Sequence, residues 1–127
     1  MKTYKKLKIY KESLDLAIAV YKMTIDSSLY AEGQRLRMSA EAVKKTIVEA
    51  FVEDRQKDIY AKYLTKALAE TFETKEQLEW LLENDYFERE KDFQVLYKKY
   101  RELAKDIYRF RELVNSNSFS LQSLQVT

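Results

Sequence analysis

The sequence predicts a single all-α domain, an antiparallel up-down-up-down four-helix bundle, and three observations carry this prediction. Proline is absent from the 127 residues and glycine occurs only once, whereas sheet proteins with many tight turns need both. Apolar residues recur at spacings of three and four through most of the chain, as they do along one face of a helix. The apolar segments are long and their connections are short, which makes consecutive helices antiparallel neighbours.

The pattern predicts four helices, which span residues 4–26, 31–54, 57–84 and 88–114. They form one bundle domain over residues 1–114. A bend is placed in the string DRQKD between helices 2 and 3, because the apolar pattern loses its phase there. The tail 115–127 has no charged residue and is rich in Ser, Asn and Gln, so we expect it to be mobile or ordered only against a neighbour.

Helix 1 is apolar on two opposite sides. The face predicted to lie in the core consists of Leu7, Tyr10, Leu14, Ala17, Ile18, Tyr21 and Ile25. The opposite face consists of Ile9, Leu16, Val20 and Met23. Each helix of a four-helix bundle occupies a corner, so one molecule should not cover both faces, and the second face is predicted to be an oligomer interface. The alternative is that helix 1 is central and covered within one molecule.

Helices 2 to 4 each have one clear core face. The predicted core residues of helix 2 are Leu36, Val43, Ile47, Ala50 and Phe51. Those of helix 3 are Tyr60, Leu64, Ala67, Thr71, Leu78 and Leu82, beside a smaller patch of Ala61, Leu68 and Phe72. Those of helix 4 are Phe93, Leu96, Tyr97, Tyr100, Leu103, Ala104, Ile107 and Val114.

The composition argues against catalysis. Cysteine and histidine are both absent, which removes thiolate nucleophiles, zinc-thiolate sites and the commonest general base. Glutamates recur along helix 3 at Glu70, Glu73, Glu76, Glu79 and Glu83. They lie off the apolar face, which favours a solvated surface, and a carboxylate metalloenzyme is retained only as a third alternative. We therefore expect no enzyme activity, no metal and no cofactor.

No apolar run approaches the roughly 20 residues of a membrane span, and a cysteine-free composition is typical of a cytoplasmic protein. The formal net charge is +2, but positive charge is concentrated in the first and last helices, which are neighbours in an up-down bundle. Helix 4 carries a basic row of Lys91, Lys98, Arg101, Lys105 and Arg109. Such a row predicts contacts with the phosphates of RNA or DNA, and the alternative is a solvated face with partial ion pairing.

Several motifs occur in an order that resembles a known family. The chain opens with YKKLKIYKESLDLAIAVYKMT, an aromatic-Leu-x-aromatic segment followed by an apolar first helix. The stretch AVKKTIVEAF in helix 2 is similar to the family segment Ser-Ile-x-x-Asn-Ile-Ala-Glu-Gly and shares Ile47 and Glu49. Upstream, RLRMS keeps Arg37 of the family pattern Gln-x-Arg-Arg-Ala. In helix 3, YLTKALAETFE keeps Leu64, Ala67 and Glu73, and LLENDYFE resembles the connection that follows.

Over roughly residues 4–114 the chain thus resembles the bacterial four-helix-bundle proteins encoded by intervening sequences in large-subunit ribosomal RNA genes. The accessory variability proteins of diversity-generating retroelements are related to them. The resemblance implies a four-helix bundle that assembles as a homopentamer. By analogy with the retroelement relatives, it also implies nucleic acid and a reverse transcriptase as partners.

Two hypotheses of function follow. The first is a non-enzymatic homo-oligomeric bundle, a pentamer on the evidence of the resemblance, that binds RNA or DNA through basic faces of helices 1 and 4. The alternative is a protein-binding or structural module whose basic rows are only solvated surface.

Overall fold

The structure, a computed structural model, describes residues 4–25, 30–84 and 90–116. Within these ranges nearly all residues are helical, and one 3-10 turn at Tyr4–Lys6 is followed by four α-helices. They are α1 (Lys8–Thr24), α2 (Tyr30–Val52), α3 (Lys57–Glu83) and α4 (Glu90–Asn115). Consecutive helices pack against each other and α4 returns against α1, so the order around the bundle is α1, α2, α3, α4. The predicted antiparallel four-helix bundle is confirmed.

The helix boundaries agree with the prediction to within a few residues where the structure describes them. The predicted start of helix 1 is broken at Leu7, which has an extended backbone and a buried side chain. The bend between α2 and α3 lies at residues 53–56, with the Gln56 amide donating to the Glu53 carbonyl at 3.0 Å. The predicted helix ends at residues 26 and 88, and the tail beyond residue 116, lie outside the described residues.

The core faces predicted for helices 2 to 4 are confirmed. Their members are buried, except that Phe51, Leu82 and Tyr97 are only partly buried. Phe110 joins this core although the sequence analysis did not assign it. Of the smaller patch on α3, Ala61 and Leu68 are buried, whereas Phe72 is 47% exposed. That exposed ring becomes important for the candidate site.

The buried side of α1 differs from the prediction, although Leu7 and Ala17 of the predicted core face are buried. Ile9, Leu16 and Val20, predicted to form an oligomer interface, are buried within the single chain, and Met23 is partly buried against the same core. That interface prediction is wrong, because these side chains already pack inside the bundle. The predicted core face is instead open toward its C-terminal end, where Ile18, Tyr21 and Ile25 are 45%, 54% and 47% exposed.

Two polar residues on the buried side of α1 account for the error in predicting its core face. Ser13 and Thr24 interrupt this face in the sequence, yet both side chains are buried. The Ser13 hydroxyl donates to the Tyr10 carbonyl at 2.8 Å, and the Thr24 hydroxyl donates to the Val20 carbonyl at 2.7 Å. Such bonds to the preceding helical turn allow a hydroxyl to be buried without an unpaired polar group.

The C-terminal end of α1 and the first turns of α2 approach closely at Gly33. A Cβ atom at this position would lie 3.2 Å from the Thr24 Cβ and 3.4 Å from the Arg37 guanidinium. Glycine leaves room for the Arg37 Nη1 to donate to the Thr24 hydroxyl at 2.9 Å. Arg37 is thereby anchored through a neutral acceptor.

Candidate nucleic-acid interface

A groove of about 430 Å³ runs between α3 and α4. Its floor consists of Leu68 and Ala104, which are 8% and 5% exposed. Because the side chain of Ala104 is small, it leaves space between the two helices at this point. The groove therefore has an apolar bottom.

Aromatic rings form part of the walls. Phe72 on α3 and Tyr108 on α4 both line the groove and are 47% and 50% exposed. Each ring has a cation over it: the Lys75 Nζ lies 5.0 Å from the Phe72 centroid, and the Arg111 Cζ lies 5.0 Å from the Tyr108 centroid. Contacts of this kind stabilise an exposed ring by about 0.5 to 1 kcal/mol. Half-exposed aromatic rings are suitable platforms for stacking a flat ligand.

Four cationic side chains complete the lining: Lys75, Arg101, Lys105 and Arg109. Among the residues that the structure describes, no carboxylate lines this groove. Lys105 lies 3.5 Å from Glu102, and Arg109 lies 3.7 Å from Asp106. The Lys105–Glu102 pair is exposed on both sides and contributes little stability, so Lys105 can turn toward an anionic ligand. Arg109 is itself 73% exposed, whereas its partner Asp106 is only 16% exposed, so this second pair is partly buried.

The structure brings together three of the five residues predicted to contact nucleic acid. Arg101, Lys105 and Arg109 line the groove. Lys91 and Lys98 are exposed nearer the beginning of α4 and do not line it. The predicted row is thus a single exposed side of α4 on which only the C-terminal half adjoins a concave surface.

The residues that α3 contributes to the groove, and the aromatic ring of Tyr108 on α4, were not identified from the sequence. Phe72 had been grouped with an apolar patch, and Lys75 and Tyr108 had not been singled out. One signal was available, since Phe72 and Lys75 are three residues apart and share a helix face. Their pairing with α4 depends on how the two helices pack, which the periodicity of either helix alone does not give.

The other side of α3 is acidic. A groove of about 450 Å³ between α2 and α3 is lined by Glu32, Glu73 and Trp80, and Arg35 is the one cation that the described residues contribute to it. An adjoining groove of about 300 Å³ adds Glu70. Burial raises the pKa of the Glu70 carboxyl, an effect partly opposed by a hydrogen bond from Thr46. The remaining glutamates predicted on this helix, Glu76, Glu79 and Glu83, are exposed. Within the described residues no group of three or more acidic side chains is arranged to hold a metal ion.

A carboxyl pair between α1 and α4 borders the basic groove. Desolvation by burial raises the pKa of Glu12 to about 7, and a hydrogen bond with Asp106 and its negative charge add to the effect. Asp106 also lies 3.5 Å from the Lys8 Nζ and 3.7 Å from the Arg109 Nη1. Arg109, a cation of the groove, is therefore paired with Asp106, whose neighbour Glu12 has a pKa near neutral pH.

The outward face of α1 carries a second unpartnered surface, which we call the α1 stripe. It consists of the partly buried Leu14 and the exposed Ile18, Tyr21 and Ile25. Their spacings of four, three and four residues place them along one side of the helix, opposite the core. Contiguous exposed apolar side chains of this kind are typical of an interaction surface.

Across the described ranges no helix has both the length and the apolar character that a membrane span requires. Neither characterised proteins nor solved structures give a match to this chain. A family model does match: it describes the 23S rRNA-intervening sequence protein, and it covers residues 5–123. Because this match extends over most of the chain, the protein belongs to that family.

Proposed function

We propose that this member of the 23S rRNA-intervening sequence protein family is a non-enzymatic, self-associating bundle that binds single-stranded nucleic acid in the groove between α3 and α4. One observation carries the binding proposal: the groove combines two exposed aromatic rings with four cations, and no carboxylate of the described part of the chain lines it. Cations attract the phosphate backbone, and aromatic rings stack with unpaired bases. The combination favours a single strand over a duplex, whose bases are already stacked.

The near-neutral net charge does not argue against this proposal, because the charges are segregated. The formal net charge is only +2, yet the basic groove lies on one side of α3 and the acidic groove on the other. A polyanion responds to the local potential within about a Debye length, roughly 10 Å at 0.1 M salt. Binding should therefore depend on which face the strand approaches.

Self-association is the second part of the proposal, and it uses the α1 stripe. An exposed side of three large apolar residues offers surface that a second copy can cover. The family resemblance supplies the number of subunits, which we take to be five. Repetition of the basic groove around a ring would strengthen binding to a long strand by raising the effective concentration of sites.

The binding proposal is tested by measuring the affinity of a labelled oligouridylate at 50 and 200 mM salt by fluorescence anisotropy. Four cations acting on a single strand predict a log–log salt slope of about −2.8. In the variant Arg101→Gln/Lys105→Gln we expect affinity at 50 mM salt to fall about 10-fold or more, with the slope halved to about −1.4.

The matched control is Lys22→Gln/Lys62→Gln, which removes two exposed cations that do not line this groove. It should lose much less affinity than the groove variant. Equal losses in the two variants would mean that the strand responds only to net charge, and the groove assignment would then be wrong. A hairpin RNA of the same length should bind more weakly than the open strand.

Self-association is tested by light scattering on purified protein. The wild type should have five times the 15.2 kDa mass of one chain, and Ile18→Glu/Tyr21→Glu should be a folded monomer. The control Val52→Glu/Val95→Glu changes two exposed apolar residues outside the stripe and should leave the assembly intact. A wild type of 15.2 kDa would exclude self-association under these conditions.

The second candidate function is a module that binds only protein, and the observation favouring it is the α1 stripe itself. In that case the assembly would form as described, while binding to oligouridylate would be absent or insensitive to salt. Both candidates predict the same assembly, so the oligouridylate experiment is the one that separates them.

A further inference from the structure

We propose that the chain holds a second nucleic-acid groove between α1 and α2, so that each copy binds two strand segments on opposite sides of the bundle. This inference rests on the proposed function, since it assigns the same class of ligand to a separate surface. It begins from an open groove of about 720 Å³ beside the 3-10 turn and the first half of α1.

This second groove repeats the chemistry of the first. Two tyrosines line it, Tyr4 and Tyr10, whose rings meet edge to face with centroids 4.9 Å apart. Both rings are partly exposed, so they are held in place and yet reachable. Tyr4 also has an edge contact with Phe51, which fixes the 3-10 turn against the bundle. Fixed aromatic surfaces of this kind allow unpaired bases to stack.

The charge of the second groove is also complementary to phosphate. Its described lining includes three cations, Arg37, Lys44 and Lys45, and one carboxylate, Glu41. Glu41 lies 2.8 Å from Lys44 and largely offsets that lysine. Lys45 is exposed, and Arg37 is anchored by the neutral Thr24 hydroxyl, which leaves its charge uncompensated by that contact. The groove therefore presents a net positive charge to a strand lying along it.

The position of the two grooves follows from the helix order. With α1, α2, α3 and α4 arranged around the bundle, the α1/α2 pair and the α3/α4 pair form opposite sides. The acidic groove between α2 and α3 lies between them on one flank. A strand following that flank would meet repulsive carboxylates, so we do not expect one strand to join the two grooves across α2 and α3.

The number of short strands bound per chain tests the inference, because this ratio does not depend on how many chains associate. Isothermal titration calorimetry with hexauridylate at low salt should give two strands per chain. The second groove should have the lower affinity, because it has fewer unpaired cations. Lys45→Glu, an exposed charge reversal, should reduce the ratio to one. Arg101→Gln/Lys105→Gln should weaken or remove the other site, and Lys62→Gln should leave the ratio at two.

Each remaining outcome is decisive. A wild-type ratio of one that only the α3/α4 variant alters would overturn the second groove and leave the proposed function in place. A ratio of one that both variants weaken would mean that one strand crosses both grooves, and it would overturn the two-segment claim. Binding lost in Lys45→Glu and unaffected by Arg101→Gln/Lys105→Gln would move nucleic-acid binding to α1/α2 and overturn the proposed α3/α4 site. Circular dichroism establishes that each variant is folded.

Discussion

The two grooves that flank α3 have nearly the same size and opposite charge. The α3/α4 groove measures about 430 Å³ and the α2/α3 groove about 450 Å³, and each contains a half-exposed aromatic residue. The first is lined by four cations and the second by Glu32 and Glu73 with one arginine. The difference shows that shape and aromatic content alone do not identify the ligand. The charge around the rings decides whether a polyanion can reach them.

The largest effect that tests this comparison concerns the two aromatic rings. Phe72→Ala should weaken oligouridylate binding about 10-fold, because stacking on an aromatic side chain contributes roughly 1 to 3 kcal/mol per base. Trp80→Ala should change affinity less than about 2-fold, although Trp offers the larger ring, because no phosphate backbone is held beside it. Anisotropy titrations at 50 mM salt measure both. Similar losses in the two variants would mean that the acidic groove also admits the strand.

The conservative variant Phe72→Tyr serves as the control for this pair. It retains the ring and should bind within about 2-fold of the wild type. Phe72 is half exposed, so neither Phe72→Ala nor Phe72→Tyr changes a core side chain. Both variants should therefore unfold at nearly the wild-type denaturant concentration.

The charge row of α4 could be read from the sequence, whereas the groove beside it could not. Arg101, Lys105 and Arg109 follow from residue type and helical spacing along one segment. Their juxtaposition with Phe72 and Lys75 requires the rotation of α3 against α4, together with the small Ala104 at the contact. Single-helix periodicity gives the direction of a side chain relative to its own axis. It does not give the neighbour that side chain meets.

The fold was predictable for a related reason, and α1 shows where the prediction fails. In α2, α3 and α4 one face is clearly more apolar, so the core assignments are confirmed. In α1 both faces are apolar, and the buried one includes Ser13 and Thr24, whose hydroxyls bond to the preceding turn. Counting apolar residues therefore favoured the wrong face. Which side of α1 is buried depends on its packing against α2 and α4, and the sequence of α1 alone does not contain that information.

A pH titration sharpens the comparison, because each groove of α3 borders a carboxyl group whose pKa is raised by burial. Glu12 lies beside Asp106, which is close to the groove cation Arg109 and to Lys8, and its pKa is about 7. Between about pH 4.5 and 7 the folded state holds a proton that the unfolded state has lost. The contribution of Glu12 to the free energy of unfolding should therefore be largest at or below about pH 4.5, should decline as the pH rises toward 7, and should level off above it.

The expected size of this effect is about 1 kcal/mol for Glu12. The full shift would correspond to roughly 3 kcal/mol, and Glu12 is only partly buried, so solvent screening reduces it. Urea unfolding at pH 5 and 8 measures the difference, and Glu12→Gln should lose about that much of the pH dependence. Glu70→Gln should also reduce the pH dependence of the free energy of unfolding, because burial raises the pKa of Glu70 as well. An identical pH profile for the wild type and Glu12→Gln would contradict the assignment.

The smallest expected effect comes from reversing one charge in the acidic groove. Glu73→Lys converts an exposed carboxylate beside Trp80 into a cation and should raise the affinity for oligouridylate about 2- to 3-fold at 50 mM salt. Glu76→Lys makes the same change on an exposed position of α3 that lines neither groove, so it should give a smaller gain. The added gain should disappear in Glu73→Lys/Trp80→Ala if the new cation acts by holding a strand over the tryptophan ring. If Glu73→Lys and Glu76→Lys gain equally, the strand responds to the total charge of the chain, and the distinction between the two sides of α3 has no part in binding.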